Sequence, residues 1–504
     1  MDGSIGMAAG TTASGGAAPP RQVDVLIVGA GLSGIAAARY LQTRLPRKTF
    51  AIVEARAAMG GTWDLFRYPG VRSDSDMHTL GYSFRPWLGE KSITDGASIA
   101  AYVRDTAAAY GIDRAITYDC RVLSAAWSSA DATWTVATTR GAITCRFLFM
   151  CSGYYDYGEG YLPKWQDMQA FRGQLVHPQF WPERLDYAGK RVVVIGSGAT
   201  AVTLVPAMAE TAAHVTMLQR SPTYVVSRPA RDPWARKLYD RLPARLAHGI
   251  VRWKNVLQSM YYYRLARRYP DKVKAGLLAL VRKQLGPGHD IATDYTPRYN
   301  PWDQRLCLVP DGDLFDAIRG GRASIVTDTI TRFTETGIAL DSGRHLDADI
   351  IVTATGLKLQ LLGGVTITVD GAPVDLSKTL SYKGMMFSGV PNLAHAIGYT
   401  NASWTLKCEL TARYVCRLLA HMDARGYASC TPQRRSDDEI PAAPLLGLTS
   451  GYIQRAAGVL PKQGARAPWL VHQNYARDTA IMRFGRLDDG VMQFARASAA
   501  AHAA

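Results

Sequence analysis

Residues 23–56 read VDVLIVGAGLSGIAAARYLQTRLPRKTFAIVEAR and contain the clearest structural signal in the chain. An apolar run, a GxGxxG pattern, a helical stretch and a second apolar run follow one another there. This order predicts two parallel strands joined by a crossover helix. Such glycines let a pyrophosphate approach the helix N-terminus, and an acidic residue about 20 positions later accepts from a ribose hydroxyl. The predicted dinucleotide contacts are Gly29, Gly31, Gly34 and Glu54.

A second unit of the same design begins at residue 192. The strand 192–195 leads into Gly196-Ser-Gly-Ala-Thr-Ala201, where alanine replaces the third glycine, and then into a helix and the strand 215–218. Instead of an acid, Arg220 and Ser221 follow, and a cation there favours the 2′-phosphate of NADPH over NADH. The alternative is that Arg220 is a solvated charge at a strand end. The contacts predicted for this unit are Gly196, Gly198, Ala199, Thr200, Ala201, Arg220 and Ser221.

The strand-rich stretches that follow the two units end in similar short segments. Cys151-Ser152-Gly153 closes the strand-rich stretch after the first unit, and Thr353-Ala354-Thr355-Gly356 closes the one after the second, so Thr355 and Gly356 join the predicted cofactor contacts. Two nucleotide sites in one chain are typical of a flavin and a nicotinamide that exchange a hydride. The predicted fold class is α/β, with two Rossmann-like dinucleotide-binding domains for FAD and NADP and a helical insertion in the second.

The cysteines argue against thiol chemistry at the flavin. There are seven, none before Cys120 and none with CxxC spacing. This pattern favours buried thiols in a reducing cytosol over a disulfide framework, and no metal site is expected.

The predicted domain organisation is discontinuous. Its parts are a flexible tail (1–20), an FAD-binding domain in two pieces (21–155 and 345–496), an NADP-binding domain (156–344) with a helical insertion (228–290), and a second tail (497–504). Both tails lack the apolar side chains needed to offset ordering entropy.

Composition restricts the class of protein further. The chain has 504 residues, of which 47% are hydrophobic and 20% charged, which excludes global disorder and fibrous folds. We expect neither a membrane span nor a secretory signal, because no apolar run is long enough and the first twenty residues lack a basic start. The formal net charge is +16, and the segment from Arg228 to Leu285 holds 15 Lys or Arg against three Asp.

Further motifs carry a resemblance to a known family. Gly60-Gly61-Thr62-Trp63 is followed by Arg67-Tyr-Pro-Gly70 and Asp74, and residues 171–182, FRGQLVHPQFWP, match FxGxxxHxxxWP at every fixed position. With these motifs the chain resembles the type I Baeyer–Villiger monooxygenases. Long runs at 73–87, 300–315 and 398–407 extend the resemblance, to mycobacterial members above all, from about residue 23 to about residue 494.

The resemblance implies specific roles. Arg305 matches the arginine that lies over the flavin, Asp74 the aspartate that holds it, and His177 and Trp181 the pair that couples domain rotation to NADP position. Gly61, Thr62 and Trp63 are implied to contact the cofactor. The implied activity uses FAD, NADPH and O2 to insert one oxygen atom beside a ketone carbonyl through a C4a-peroxyflavin anion, giving an ester or lactone. Linear aliphatic or aryl ketones are the implied substrates, and sulfoxidation is an implied side activity.

Several alternatives remain open at this stage. The chain could instead oxidise nitrogen or sulfur through a hydroperoxyflavin, or act as a flavin redox sensor without turnover. Gln304 stands where strongly NADPH-dependent relatives often have lysine, which weakens the NADPH preference. The basic segment 228–285 fits a solvated helical surface or a peripheral contact with anionic lipid, and no recognition module accompanies it that would favour nucleic acid. The expected location is the cytoplasm, with or without membrane association, and the oligomeric state is not predicted.

Overall fold

The computed structural model describes residues 21–434 and 440–497. The tail predicted at 1–20, and all but the first residue of the tail predicted at 497–504, lie outside these residues. Short 3-10 turns occupy Asp113–Ala115, Met168–Ala170, Pro178–Phe180, Leu361–Gly364 and Leu376–Lys378. The α-helices of the described residues are α1 Leu32–Arg44, α2 Thr62–Leu65, α3 Met77–Leu80, α4 Gly96–Ala109, α5 Ala199–Met208, α6 Pro233–Tyr239, α7 Ala244–Arg268, α8 Pro270–Leu285, α9 Ile291–Tyr295, α10 Asp313–Arg319, α11 Trp404–Arg425, α12 Gly451–Ala456 and α13 Tyr475–Phe484.

The first of two large sheets has nine strands. Their spatial order is Ala372–Pro373, Thr366–Val369, Val122–Ser128, Thr133–Thr138, Gly141–Met150, Gln22–Val28, Phe50–Val53 and Ile116–Thr117, and Leu393–His395 also pairs with Gly141–Met150. The strand Gln22–Val28 is parallel to both of its neighbours, so its carboxyl end lies beside those of Phe50–Val53 and Gly141–Met150. The GxGxxG loop therefore begins at the edge of the sheet where parallel strands present their carboxyl ends.

The second sheet has five strands, all parallel. Their order is Ala323–Thr327, His214–Gln219, Arg191–Ile195, Ile350–Thr353 and Gln174–Val176. Val192, Val193 and Val194 are buried, as strands covered on both faces require. The strands and helices predicted at both glycine motifs are present, and the strands predicted at 192–195 and 215–218 differ from the observed ones by one residue at an end.

Smaller ribbons connect and extend these sheets. They are the three-stranded Ile330–Thr334, Gly337–Leu340 and His345–Asp347, and the pairs Val225–Arg228 with Cys307–Pro310, Tyr155–Gly160 with Leu357–Leu359, Ser381–Tyr382 with Met386–Phe387, Ser429–Pro432 with Met492–Ala495, and Ala442–Pro444 with Lys462–Gly464. The predicted domain boundaries stay predictions, and the first sheet draws strands from 22–150 and 366–395.

The basic segment is helical and consists of α6 to α8, which lie between the strands His214–Gln219 and Ala323–Thr327 of the second sheet. The longest of these helices, α7, contacts α3, which belongs to the chain segment of the first sheet. No helix among the described residues is both long and apolar enough to cross a bilayer. All seven cysteines are buried free thiols, as the sequence predicted.

Candidate active site

One cavity of about 1250 Å³ is lined by both glycine loops and by the segments that follow the sheets. The predicted residues that line it are Gly29, Gly31, Glu54, Gly61, Thr62, Trp63, Asp74, Gly196, Gly198, Ala199, Thr200, Arg220, Ser221, Arg305, Thr355 and Gly356. Gly34, Ala201, His177 and Trp181 do not line it. Most of the predicted site residues therefore meet in one space, although they come from segments up to 327 positions apart, from Gly29 to Gly356.

In the first loop, Gly29 must be glycine for two reasons. Its φ is +104°, and a Cβ there would lie 2.6 Å from the carbonyl oxygen of Cys151. Gly34 has a packing role, because a Cβ on it would overlap the carbonyl oxygen of Gly29. Helix α1 can therefore pack directly on the strand end, while a Cβ added at Gly31 would be in ordinary van der Waals contact with Gly61, whose Cα would be 3.6 Å away.

Glu54 is buried at the end of the neighbouring strand. Its Oε2 accepts from the Ala30 N–H at 2.8 Å, and its Oε1 accepts from the Arg56 N–H at 3.0 Å. Burial raises the pKa of this carboxyl above its ordinary value, and the hydrogen bonds oppose that shift. The side chain thus braces the glycine loop, and since each carboxylate oxygen has a second lone pair, it can still accept from a ribose hydroxyl.

The second loop repeats the geometry of the first. Gly196 has a φ of +135°, and a Cβ there would overlap the carbonyl oxygen of Ala354, just as Gly29 faces Cys151. Around Gly198 an added Cβ would meet nothing within 4 Å. Ser197 Oγ donates to the carbonyl of Ser221 at 3.0 Å, which fixes this loop to the segment that carries Arg220.

The stretch Arg67 to Gly70 joins the two halves of the site. A Cβ on Gly70, which has a φ of +74°, would lie 2.8 Å from the carbonyl oxygen of Thr203 in α5. Tyr68 packs against the hydrophobic cluster of the second sheet, and burial raises the pKa of its phenol to about 12. This motif therefore places the segment leading to Asp74 directly against the helix of the second glycine loop.

Arg305 and Asp74 form an ion pair in the cavity, with 3.0 Å between Nη2 and Oδ2. Arg305 comes just before the strand Cys307–Pro310, and Asp74 just before α3, which is capped by Asp76. The two side chains are 34% and 38% exposed, so both remain accessible to a ligand. Asp74 holds the pKa of Arg305 above its ordinary value, which keeps the guanidinium charged.

Three tyrosines next to this pair, beside Trp404, were not predicted as site residues. The rings of Tyr154 and Trp404 are stacked 4.8 Å apart, and the Tyr154 and Tyr155 hydroxyls are 3.1 Å apart. Tyr452 lines the same recess as Tyr154, and burial raises the pKa of all three phenols. Tyr154 directly follows Cys151-Ser152-Gly153, a position that could have identified it from the sequence. Tyr452 lies about 300 residues further along the chain, and no nearby motif marks it as a site residue.

His177 and Trp181 lie outside the cavity. His177 Nδ1 accepts from the Gln179 N–H at 3.2 Å, and its ring fills the space where a Cβ on Gly160 would be. Gly160 ends a strand of the ribbon that connects the two sheets. Burial lowers the pKa of His177, so it is neutral at pH 7. Trp181 packs against the hydrophobic cluster of the second sheet together with Tyr68.

Two glycine loops at the ends of two sheets, opening on a shared cavity with an arginine–aspartate pair, define an oxidoreductase that uses two nucleotide cofactors. The family model described as "Pyridine nucleotide-disulphide oxidoreductase" matches residues 26–245. The chain is 56% identical to the FAD-containing monooxygenase EthA of Mycobacterium tuberculosis H37Rv, over 94% of this chain and 98% of that protein. It is 49% identical to the probable FAD-binding monooxygenase AlmA of Acinetobacter baylyi, over 94% and 96% respectively.

Solved structures share the fold. A steroid monooxygenase in its oxidised form bound to NADP superposes with a TM-score of 0.75 at 24% identity, covering 94% of this chain and all of that one. An open structure of cyclohexanone monooxygenase gives a TM-score of 0.74 at 19% identity, covering 94% and 100%. The chain belongs to the FAD-containing flavoprotein monooxygenases. The family resemblance and the fold class predicted from the sequence are thereby confirmed.

Proposed function

We propose that this monooxygenase is a Baeyer–Villiger enzyme, which inserts one atom of O2 beside a ketone carbonyl and gives an ester or lactone. The observation that carries the proposal is the ion pair of Arg305 with Asp74 inside the cavity. We expect linear aliphatic or aryl ketones as substrates and sulfoxidation as a side activity.

The cofactors of the chain are FAD and NADP(H), and the residues fit both. The first loop, with Gly29, Gly31 and Glu54, would hold FAD, because a glycine-rich turn lets a pyrophosphate approach the backbone N–H groups. The second would hold NADP(H), because a Cβ on Gly198 would meet nothing within 4 Å and the backbone there is open. Arg220 would bind the 2′-phosphate and favour NADPH. When bound, these cofactors supply the electrons and activate O2.

Arg305 supplies the charge that ketone chemistry needs. As the carbonyl carbon is attacked, negative charge develops on the carbonyl oxygen, and a guanidinium about 4 Å away stabilises it by roughly 4 kcal/mol at an effective dielectric of 20. Partial exposure of Arg305 reduces this value through solvent screening. Arginine suits the position because it keeps its proton when partly desolvated, and Asp74 orients it.

The aromatic side chains shape the rest of the pocket. Tyr154, Trp404 and Tyr452 surround a smaller recess beside Arg305, which Leu446 and Leu448 also line. This largely aromatic and aliphatic wall would exclude water from the reacting carbonyl.

The decisive experiment replaces Arg305 by Ala and, as a matched control, by Lys. NADPH oxidation, hydrogen peroxide and product are measured with ketones of graded chain length and with a thioether. Arg305→Ala should still bind FAD and oxidise NADPH, but its ester yield should fall at least about 100-fold. Arg305→Lys, which retains a charge without the planar fork, should lie between Ala and wild type.

Three outcomes would count against the proposal. Ester formed at the wild-type rate by Arg305→Ala would remove Arg305 from the chemistry. A wild-type enzyme that makes sulfoxide but no ester from any ketone would identify a heteroatom-oxidising monooxygenase instead. NADPH oxidation that no carbonyl or sulfide accelerates would favour a redox sensor.

A further inference from the structure

Helix α7 exposes an apolar stripe to solvent. Its residues recur every three or four positions, as required for one face of a helix with 3.6 residues per turn. The exposed fractions of these side chains are 54% for Leu246, 43% for Ile250, 42% for Trp253, 55% for Leu257 and 62% for Tyr261. A helix on the surface of a soluble protein normally has polar residues on this face, so a contiguous apolar stripe indicates an interaction site.

The opposite face of α7 is bonded to the rest of the protein, so the helix cannot rotate about its axis to bury the stripe. Arg252 is buried, and its Nη2 is 2.5 Å from the Glu409 carboxylate. Its Nη1 donates to three backbone carbonyls, those of His78, Thr79 and Gly81, at 2.7–3.3 Å. Rotating α7 to bury the stripe would break all of these bonds, so the stripe faces outward in the folded protein.

Positively charged residues flank the stripe in the chain. Arg264 continues it by one turn beyond Tyr261, and Lys237, Arg241 and Arg245 come before it in the chain. Within the described part of the chain these four cations form no ion pair, whereas Arg252 does. Trp234 in α6, 70% exposed, adds a large aromatic side chain to the same segment.

We propose that α6 and α7 form a docking surface for an anionic lipid bilayer. The stripe would enter the boundary between headgroups and acyl chains, and the arginines and lysines would contact lipid phosphates. A second copy of this chain fits less well, because a symmetric contact would bring two strongly positive segments together.

The inner side of α7 contacts the wall of the active-site cavity. Val256 packs with Tyr399 and Leu406, and Ser259 Oγ donates to the carbonyl of Asn401 at 3.3 Å. Tyr399 lines the cavity. One helix thus lies between the proposed lipid surface and the pocket, which would bring the enzyme close to substrates dissolved in a membrane. The docking surface does not depend on whether the substrate is a ketone.

Vesicle sedimentation of the full-length, FAD-loaded protein tests the proposal. Vesicles of phosphatidylcholine with about one third phosphatidylglycerol are compared with pure phosphatidylcholine at low and at physiological salt. The test variant is Ile250→Glu with Leu257→Glu, and the matched control is Leu175→Glu, which changes a 40% exposed leucine outside the segment. A thermal melt and the flavin spectrum check that each variant is folded.

We expect the wild type and Leu175→Glu to bind anionic vesicles, and the double variant to partition at least about tenfold more weakly, since two apolar side chains become charged. Pure phosphatidylcholine should bind less, and salt should weaken binding because the cations contribute. Absence of wild-type binding at low salt, or equal binding by the double variant, would overturn the proposal. A dimer in analytical ultracentrifugation that the double variant dissociates, without vesicle binding, would assign the stripe to self-association instead.

Discussion

Replacing two neighbouring glycines of the second loop by alanine should have opposite consequences. Gly198 is the N-cap of α5 with a φ of −78°, and an added Cβ would meet nothing within 4 Å. Gly198→Ala should therefore cost less than about 1 kcal/mol of folding stability. At Gly196 the φ is +135°, and a Cβ would overlap the carbonyl oxygen of Ala354, so we expect Gly196→Ala to cost at least about 3 kcal/mol.

Gly198→Ala, which should hardly affect folding stability, should weaken the binding of NADPH. A methyl group on Gly198 would occupy the open space where the NADP pyrophosphate is expected, and losing one charge-assisted hydrogen bond costs about 1.5–3 kcal/mol. The Kd for NADPH should therefore rise about 10- to 100-fold in Gly198→Ala, while the protein melts within about 4 °C of wild type. Gly31→Ala in the first loop is the matched control and should weaken FAD binding but leave NADPH binding intact.

The assay combines thermal melting of each variant with a fluorescence titration by NADPH. Wild-type NADPH affinity in Gly198→Ala would show that the pyrophosphate does not approach this loop, and the assignment of the second unit to NADP would be wrong. A melting temperature unchanged in Gly196→Ala would refute the steric argument from Ala354.

Three further predictions follow from the ion pairs and histidines. Asp74→Asn removes a charge interaction with Arg305. At 3.0 Å this interaction is worth about 1.4 kcal/mol in water and about 5.5 kcal/mol at a dielectric of 20. Because both side chains are about a third exposed, we expect the lost interaction energy to be about 2 kcal/mol. The ratio of ester to NADPH consumed should therefore fall about 10- to 100-fold, and an unchanged ratio would show that Asp74 does not position Arg305. Arg252→Met leaves the buried Glu409 carboxylate without its cation and should destabilise the protein by about 3–5 kcal/mol in thermal melts. The double variant with Glu409→Gln should recover part of this stability. Strictly additive effects of the two substitutions would contradict the coupling. Burial lowers the pKa of His248 to about 4, so the unfolded chain binds the extra proton first, and stability should fall by up to about 3 kcal/mol as the pH drops from 6.5 to 4. Melts of His248→Gln between pH 8 and pH 4 should show a correspondingly smaller decrease, and an equal decrease would assign the acid sensitivity to other groups.

The sequence predicted the parts of this molecule that depend on local backbone geometry. The loops at Gly29 and Gly196 are recognisable because a positive φ and a neighbouring carbonyl leave space for glycine alone. The pairing of Arg305 with Asp74 came from the family resemblance, since no local rule connects positions 231 residues apart.

What the sequence did not predict depends on contacts between distant segments. Tyr452 reaches the pocket through α12, and its role beside Arg305 follows from packing that no periodicity records. The helical spacing of aromatic and basic residues in 228–285 predicted helices, but it did not show that Arg252 points inward. A buried arginine and an exposed one have the same effect on composition, and Arg252 is distinguished by its contacts with the Glu409 carboxylate and with three backbone carbonyls.

The contacts across the cavity explain why the Arg67-Tyr-Pro-Gly70 motif has its particular residues. Hydride exchange and oxygen transfer require the two nucleotide sites to be held in a defined mutual position, because a displacement of about 1 Å can cost 100-fold in rate. Gly70 allows its segment to contact α5 with no side chain between, and the next cation, Arg72, pairs with Asp313 at the start of α10. Asp74 follows two residues later, so its position relative to Arg305 is set by the same short segment that fixes the two units. Substitutions at Gly70 should therefore impair the coupling of NADPH oxidation to product even though Gly70 bears no reactive group.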